Sequence, residues 1–332
     1  MSVFLTGGTG LLGSHVAERL RGLGIGVRAL HRPGADTHFL RKLGCELVPG
    51  DLHDSAHEHA RRMMGCEGLV HAAGEVYGGG TLETTRTINV EGTRRVLAGG
   101  VASGVRRAVH ISTVAVYGQA HGPMEESGSW VPGLPARDVY AQSKREAEGV
   151  AGDFHGRGGL ELTILRPPAL FGERDRRFIP RVAKVLSRRL IFLMGSGHNR
   201  LALVYAGNVA EAVERALGGS GSGGIFNVTE DVAVTQRSLF NGLGRELGVR
   251  PYFVCVPGSF VRFGARVGDH LGLGIPGTGG LSLSRAAGLS LNDNPYPAEK
   301  AREVLGWDPP YSLAEALGRT GRWLREKDAG HD

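Results

Sequence analysis

Tyr140 and Lys144 stand four residues apart in the run Asp138-Val-Tyr-Ala-Gln-Ser-Lys-Arg-Glu-Ala-Glu148. On a helix that spacing puts both side chains on one face, one turn apart. A free phenol titrates near 10 and is a poor acid or base at neutral pH. An ammonium beside it stabilises the phenolate and lowers that value. The tuned hydroxyl can then protonate a carbonyl oxygen as hydride arrives, or deprotonate an alcohol in the reverse direction. The lysine itself is conspicuous, because only five of the 39 Lys and Arg residues are lysines. With seven tyrosines and five lysines, a Tyr-x-x-x-Lys pair is expected by chance roughly 0.1 times at this helical spacing.

A second group of residues supplies what such a pair would act beside. Leu5-Thr-Gly-Gly-Thr-Gly-Leu-Leu-Gly13 follows the apolar run Val3-Phe-Leu5 and opens an amphipathic segment, Leu12 to Leu23. Gly7, Gly10 and Gly13 satisfy G-x-x-G-x-x-G, while Gly8, Gly10 and Gly13 satisfy G-x-G-x-x-G; Thr9, Leu11 and Leu12 fill the intervening places. One glycine makes the turn, one lets backbone approach a pyrophosphate, and one lets helix and strand pack closely. The helix N-terminus offers free N–H groups to the phosphates. A carboxylate that would mark an NAD ribose should end the second strand. That strand, Gly26 to Leu30, runs instead into His31-Arg32, and Asp36 lies beyond Pro33-Gly34. An arginine there suits a 2′-phosphate and can stack on adenine. The expected cofactor is a nicotinamide dinucleotide, NADP(H) favoured over NAD(H). A compact ammonium at Lys144 can then donate to ribose hydroxyls while its charge faces Tyr140, whereas a guanidinium is planar and wider.

Further runs carry a family resemblance: Gly50-Asp-Leu52, His71-Ala-Ala-Gly74, Asn89-Val-Glu-Gly-Thr93, Ile111-Ser-Thr-Val-Ala-Val-Tyr-Gly118, Arg166-Pro-Pro-Ala-Leu-Phe-Gly172, Val204-Tyr-Ala-Gly-Asn-Val-Ala210 and Ala301-Arg-Glu-Val-Leu-Gly-Trp307. Together with the glycine loop and the Tyr140/Lys144 pair, they resemble an extended short-chain dehydrogenase/reductase of the NAD-dependent epimerase/dehydratase superfamily. The nearest type is the 3β-hydroxysteroid dehydrogenase/dihydroflavonol reductase. The resemblance implies that Thr113 hydrogen-bonds the reacting oxygen, with Ser112 beside it at the cofactor, and that Asn89 holds a water near the lysine. It also implies that Asp51 and Leu52 flank the adenine, and that Ala72, Ala73 and Gly74 line the path from pyrophosphate to ribose. Pro167, Ala169 and Leu170 would pass near the nicotinamide, and helices around Asn89 and Tyr140 would form a homodimer.

Within that family, nucleotide-sugar members place an asparagine soon after the strand-ending arginine, where this chain has Arg166-Pro-Pro-Ala169. Dehydratases follow the position of Thr113 with an acidic pair, where this chain has Val114-Ala115. The expected activity is a ketoreductase or alcohol dehydrogenase acting on a small-molecule secondary alcohol or ketone. The same residues would serve a nucleotide-sugar epimerase or 4-ketoreductase, and Arg174, Arg176, Arg177 and Arg200 keep a diphosphate contact open. A non-catalytic cofactor sensor would typically lack the Tyr/Lys pair.

The elements that must hold these residues alternate. Strand-like runs at Val3–Leu5, Gly26–Leu30, Cys45–Val48, Gly68–Ala73, Ala108–Ser112 and Leu160–Leu165 are interleaved with helical stretches, among them Asn89–Ala102. This predicts an α/β fold, a Rossmann-type doubly wound parallel sheet, with a smaller, mostly helical C-terminal substrate domain. Residues 1–167 and 201–230 are assigned to the dinucleotide-binding domain, and 168–200 and 231–330 to the substrate-binding region. A length of 332 residues accommodates both. Residues 119–137, rich in Gly and Pro, suit a loop over the active site. A net charge of +6 without any run of five basic residues lacks the footprint of a nucleic-acid binder. No window of 18 apolar residues predicts a membrane span. Cys45, Cys66 and Cys255 have no metal-ligand or disulfide spacing and are expected buried in a reducing cytosol. His53, His57 and His59 read as a solvated helix start, with no metal site. The expected location is cytoplasmic.

Overall fold

The computed structural model describes residues 1–76, 81–118, 122–126, 134, 138–229, 234–273, 282–328 and 330. The first half runs β1 (Ser2–Thr6), α1 (Leu11–Gly22), β2 (Gly26–His31), α2 (His38–Lys42), β3 (Glu46–Pro49), α3 (Ala56–Met63), β4 (Gly68–His71), α4 (Leu82–Arg86), α5 (Gly92–Ala102), β5 (Arg107–Ile111), α6 (Val139–Gly152) and β6 (Glu161–Arg166). A π-helical stretch, Thr87–Glu91, joins α4 to α5, and a 3-10 turn, Val114–Tyr117, follows β5. The second half runs β7 (Ala169–Phe171), α7 (Phe178–Leu186), β8 (Leu190–Met194), β9 (Leu203–Tyr205), α8 (Ala206–Leu217), β10 (Ile225–Asn227), α9 (Gln236–Glu246), β11 (Tyr252–Val256), α10 (Gly258–His270), α11 (Leu283–Leu291), α12 (Glu299–Leu305) and α13 (Leu313–Asp328).

Seven strands form one parallel sheet in the order β3-β2-β1-β4-β5-β6-β10. Order reverses between β1 and β4, so a crevice opens at the carboxyl ends of those strands, where α/β sheets bind ligands. Strand residues alternate between faces. Val3 and Leu5 pack with Val16 and Leu20 of α1 and Val209 and Val213 of α8. Phe4 points the other way, among Val96 and Leu97 of α5 and Ala147 and Val150 of α6. Burial on both faces explains why the central strands read as continuous apolar runs.

A separate apolar cluster joins α7, β8, α9 and α13 through Ile179, Leu186, Leu193, Leu243 and Leu317. Parallel pairs β11-β8 and β7-β9 lie here, and β11 makes the stretch after residue 231 less uniformly helical than its sequence suggests. β4 ends at His71, two residues before the predicted boundary, because Ala72 and Ala73 turn toward Gly7.

Two expectations are corrected. Cys45 and Cys66 are buried, but Cys255 is exposed on β11. His53 and His57 are exposed, but His59 is fully buried on α3. It fits because α5 has Gly99 opposite, where a Cβ would come within 2.6 Å of the His59 Cβ. Among the described residues there is no group of three His, Cys, Asp or Glu able to hold a metal, and no helix long and apolar enough to cross a membrane. Most of the loop 119–137 and the glycine-rich stretch 274–280 lie outside the described residues.

Candidate active site

The glycine turn is folded onto itself. Gly7 has φ +76, and a Cβ there would lie 2.7 Å from backbone atoms of Ala72 and Ala73. A Cβ at Gly13 would lie 2.1 Å from the Gly7 carbonyl oxygen, and one at Gly10 3.2 Å from it. Gly8 is less constrained, since its Cβ would meet only side-chain carbons of Leu40 and Leu5 at 3.3 and 3.4 Å. The backbone therefore needs glycine at 7 and 13, while a side chain at 10 would press on the Gly7 carbonyl. Gly10 precedes α1 without a side-chain cap, and the first turn of α1 has no acidic residue. Thr9 and Leu11 are half-buried there, and Leu12 is buried. That leaves the positive end of a 12-residue helix facing the crevice. These features fit the pyrophosphate of a dinucleotide, which Gly7 to Gly13 and Ala72 to Gly74 could hold.

Hydrogen bonds fix the floor of the cradle. Thr93 Oγ1 donates to the Asn89 carbonyl at 2.6 Å, so it accepts from His71 Nε2 at 3.0 Å. His71 Nδ1 is then the acceptor for Thr6 Oγ1 at 2.8 Å, and Thr6 Oγ1 in turn accepts from Ala73 N at 3.2 Å. Burial, reinforced by the Lys144 charge, pushes the His71 pKa down to about 3, and the same causes hold His110 neutral.

Arg32 is exposed just past β2, with no hydrogen bond or ion pair for its guanidinium among the described residues. Asp36 pairs with Arg176 at 3.1 Å. Asp51 Oδ1 accepts from His53 N at 3.0 Å, and Leu52 leans on the α5–α6 side of the sheet.

The catalytic candidates meet at the ends of β5 and α6. Asp138 caps α6 through Oδ1, accepting from Ala141 N at 3.1 Å. Tyr140 sits half-buried in the first turn. One turn on, Lys144 is buried, and its Nζ donates to the Ile111 carbonyl at the end of β5 at 2.7 Å. Burial pushes its pKa down to about 8, opposed by the negative charge of Glu148. Thr113, two residues past β5, accepts from Ala115 N at 3.2 Å through Oγ1, which leaves its own hydrogen to donate. Ser112 is buried with no partner for Oγ among the described residues. Pro167 accepts from Val114 N at 3.1 Å, while Ala169 is exposed and Leu170 half-buried on β7.

Asn89 lies in the π-helical stretch. Its Oδ1 accepts from Glu75 N at 2.7 Å, and its Nδ2 donates to Glu75 O at 3.1 Å and Ser143 Oγ at 2.9 Å. Both amide hydrogens are engaged, so the side chain ties the loop after β4 to α6.

Several residues of the site were not singled out in the sequence. Glu148, one turn beyond Lys144, forms a buried bidentate pair with Arg166 at 2.9 and 2.7 Å. Arg166 also donates to Tyr117 Oη at 2.8 Å, and that hydroxyl donates to Asn227 Oδ1 at 2.8 Å. Burial pushes Tyr117 up to about 12. Arg285 of α11 pairs with Asp138 and donates to the Ala115 carbonyl. A carboxylate four residues after the lysine was the available signal for Glu148. Arg174, Arg176 and Arg177 are engaged by Ser14 and Glu18, by Asp36, and by the Val76 carbonyl.

Comparison with known proteins identifies the family. A family model described as the NAD dependent epimerase/dehydratase family matches residues 3–229. The chain belongs to that family. It is an extended short-chain dehydrogenase/reductase, as the sequence motifs indicated. It is 31% identical, over 98% of both chains, to the uncharacterized protein YbjS of Escherichia coli K12. It is 28% identical, over 92% of both chains, to the 4-hydroxy-2-methyl-3-oxo-4-farnesyl-3,4-dihydroquinoline-1-oxide ketoreductase of Stigmatella aurantiaca. Among solved structures it resembles DesIV, a dTDP-glucose 4,6-dehydratase from Streptomyces venezuelae with NAD and TYD bound. The TM-score is 0.73 at 26% identity, covering 99% and 98% of the two chains.

Proposed function

We propose that this protein is a ketoreductase or secondary-alcohol dehydrogenase that prefers NADP(H). The observation that carries the reading is the buried Lys144 ammonium, one helical turn from Tyr140 on α6 and bonded to the Ile111 carbonyl of β5, two residues before the strand-end Thr113. A bound nicotinamide supplies or accepts hydride. Tyr140 gives a proton to the substrate oxygen or takes one from it, and the Lys144 charge favours the phenolate partner of that exchange. Thr113, whose hydroxyl oxygen is already held by Ala115 N, donates its hydrogen to the same substrate oxygen and orients it. Arg32 receives the 2′-phosphate. The described parts of 168–200 and 231–330 supply the wall against which the substrate is placed.

An apolar ketone is favoured over a nucleotide sugar on two grounds. Arg174, Arg176 and Arg177 already have protein partners, and one relative is named as the ketoreductase of a farnesylated quinoline. The test is absorbance at 340 nm with NADPH and NADH against a steroid ketone, a β-keto ester and a nucleotide-keto-sugar. Turnover of the first two with NADPH preferred is expected. Turnover confined to the nucleotide sugar would overturn the substrate assignment. Tyr140→Phe should lose on the order of 10²–10⁴-fold in kcat, the usual contribution of proton transfer, while cofactor binding survives; full activity would remove Tyr140 from the mechanism.

A further inference from the structure

We propose that the outer face of α10 docks this protein on the surface of an anionic lipid bilayer, an inference independent of the reaction assigned above. Phe260 and Phe263 are each 70% exposed, Leu271 66% and Val267 42%. Their spacing, i, i+3, i+7, i+11, gathers them into one stripe. α10 already buries a different stripe, Ala265 and Gly268, against α11. A Cβ at Gly268 would come within 2.4 Å of Leu283. A surface helix normally carries one apolar stripe, toward the core, so the second needs an apolar environment of its own.

The charges on α10 indicate which environment. Arg262 and Arg266, one turn apart, are exposed and form no ion pair among the described residues. Asp269 is the one carboxylate on α10. It accepts from Leu283 N at 2.8 Å and Ser284 N at 3.0 Å, so its charge is turned to the start of α11. Outward, α10 therefore offers an apolar stripe with two arginines beyond one of its edges. A helix lying in the bilayer interface has this arrangement, with guanidinium heads at the phosphates and rings among the acyl chains. A second copy packed symmetrically on the same stripe would face those arginines with like charge. Tyr252, 63% exposed on β11 just before α10, adds an amphipathic ring suited to the headgroup level.

Flotation of the full chain with vesicles tests this, comparing phosphatidylcholine alone with phosphatidylcholine containing phosphatidylglycerol, at low and high salt. Binding is expected only to the anionic vesicles and should weaken with salt. Arg262→Gln and Arg266→Gln should each weaken it about fivefold, and Phe260→Ser/Phe263→Ser on the order of a hundredfold. Their thermal midpoints should stay at the wild-type value, because the substituted side chains are exposed. The proposal is overturned if wild type stays with the unbound fraction, or if the double phenylalanine variant floats as wild type does. It is also overturned if sedimentation velocity finds a dimer which that variant makes monomeric, without vesicle binding, since the stripe then belongs to a second copy.

Discussion

Lys144→Met should change how the stability of this protein depends on pH. Burial lowers the Lys144 pKa from 10.5 to about 8. Below the folded value the native state holds a charge that the unfolded chain keeps in water, so the lysine is destabilising in full at neutral pH. As pH rises past about 8 the folded protein releases the proton, while the unfolded chain retains it to about 10.5. Across that window the unfolded state binds more protons, so stability rises with pH. The whole shift corresponds to roughly 3 kcal/mol. About 2 kcal/mol of it falls between about pH 7 and about pH 9.5. Methionine has similar length and no proton to lose. Urea titrations without dinucleotide, for both proteins across that range, should show wild type gaining about 2 kcal/mol relative to Lys144→Met. His71 and His110 also feel Lys144 but are held neutral throughout. A difference between the two proteins that is independent of pH, or that moves against wild type, would refute the burial argument and mean that Glu148 or water compensates the ammonium.

Glu148→Gln leaves Arg166 charged in the interior without its partner, which should cost about 3–5 kcal/mol and lower the thermal midpoint; Glu148→Gln/Arg166→Met should recover most of that loss. Arg32→Ala should raise the KM for NADPH by about tenfold or more, the value of a charge-assisted hydrogen bond, and leave that for NADH unchanged; equal effects on both cofactors would detach Arg32 from the 2′-phosphate. Gly13→Ala should abolish dinucleotide binding measured by fluorescence titration, because the new Cβ would lie 2.1 Å from the Gly7 carbonyl. Gly8→Ala should retain binding, since its neighbours at 3.3 and 3.4 Å are side-chain carbons that can shift.

What could be read from the sequence was local. The alternation of strand-like runs such as Val3–Leu5 and Gly68–Ala73 with helical stretches argues for βαβ units and a parallel sheet, which the strand order bears out. The Gly7, Gly10 and Gly13 spacing belongs to one turn, and Tyr140 and Lys144 to one helix face. What could not be read was contact between distant segments. Glu148 looks like a solvated residue until β6 brings Arg166 against it from 18 positions away. His59 looks like part of a polar helix start until α5 supplies a glycine beside it. The exposure of Cys255 depends on β11 pairing with β8, a match between segments some sixty residues apart that no local pattern announces. The segments expected from the sequence to meet the substrate, 75–82, 119–137, 168–200 and 255–292, contain few such local signatures.

The position of α6 follows from this distribution of contacts. Its buried face carries the polar Ser143 and Lys144 near its start and is mostly apolar toward Ala147, Val150 and Ala151. The half of the helix at the crevice is therefore fixed by polar contacts from three directions. Arg285 holds Asp138 from α11, Asn89 holds Ser143 from the π-helical stretch, and Arg166 holds Glu148 from β6. Apolar packing tolerates small slides, whereas charge-assisted and bidentate bonds fix direction as well as distance. With Tyr140 and Lys144 between those anchors, a displacement at any of the three rotates the pair relative to Thr113. Because Arg285 comes from α11, the geometry proposed for proton transfer is coupled to how α11 seats against the start of α6.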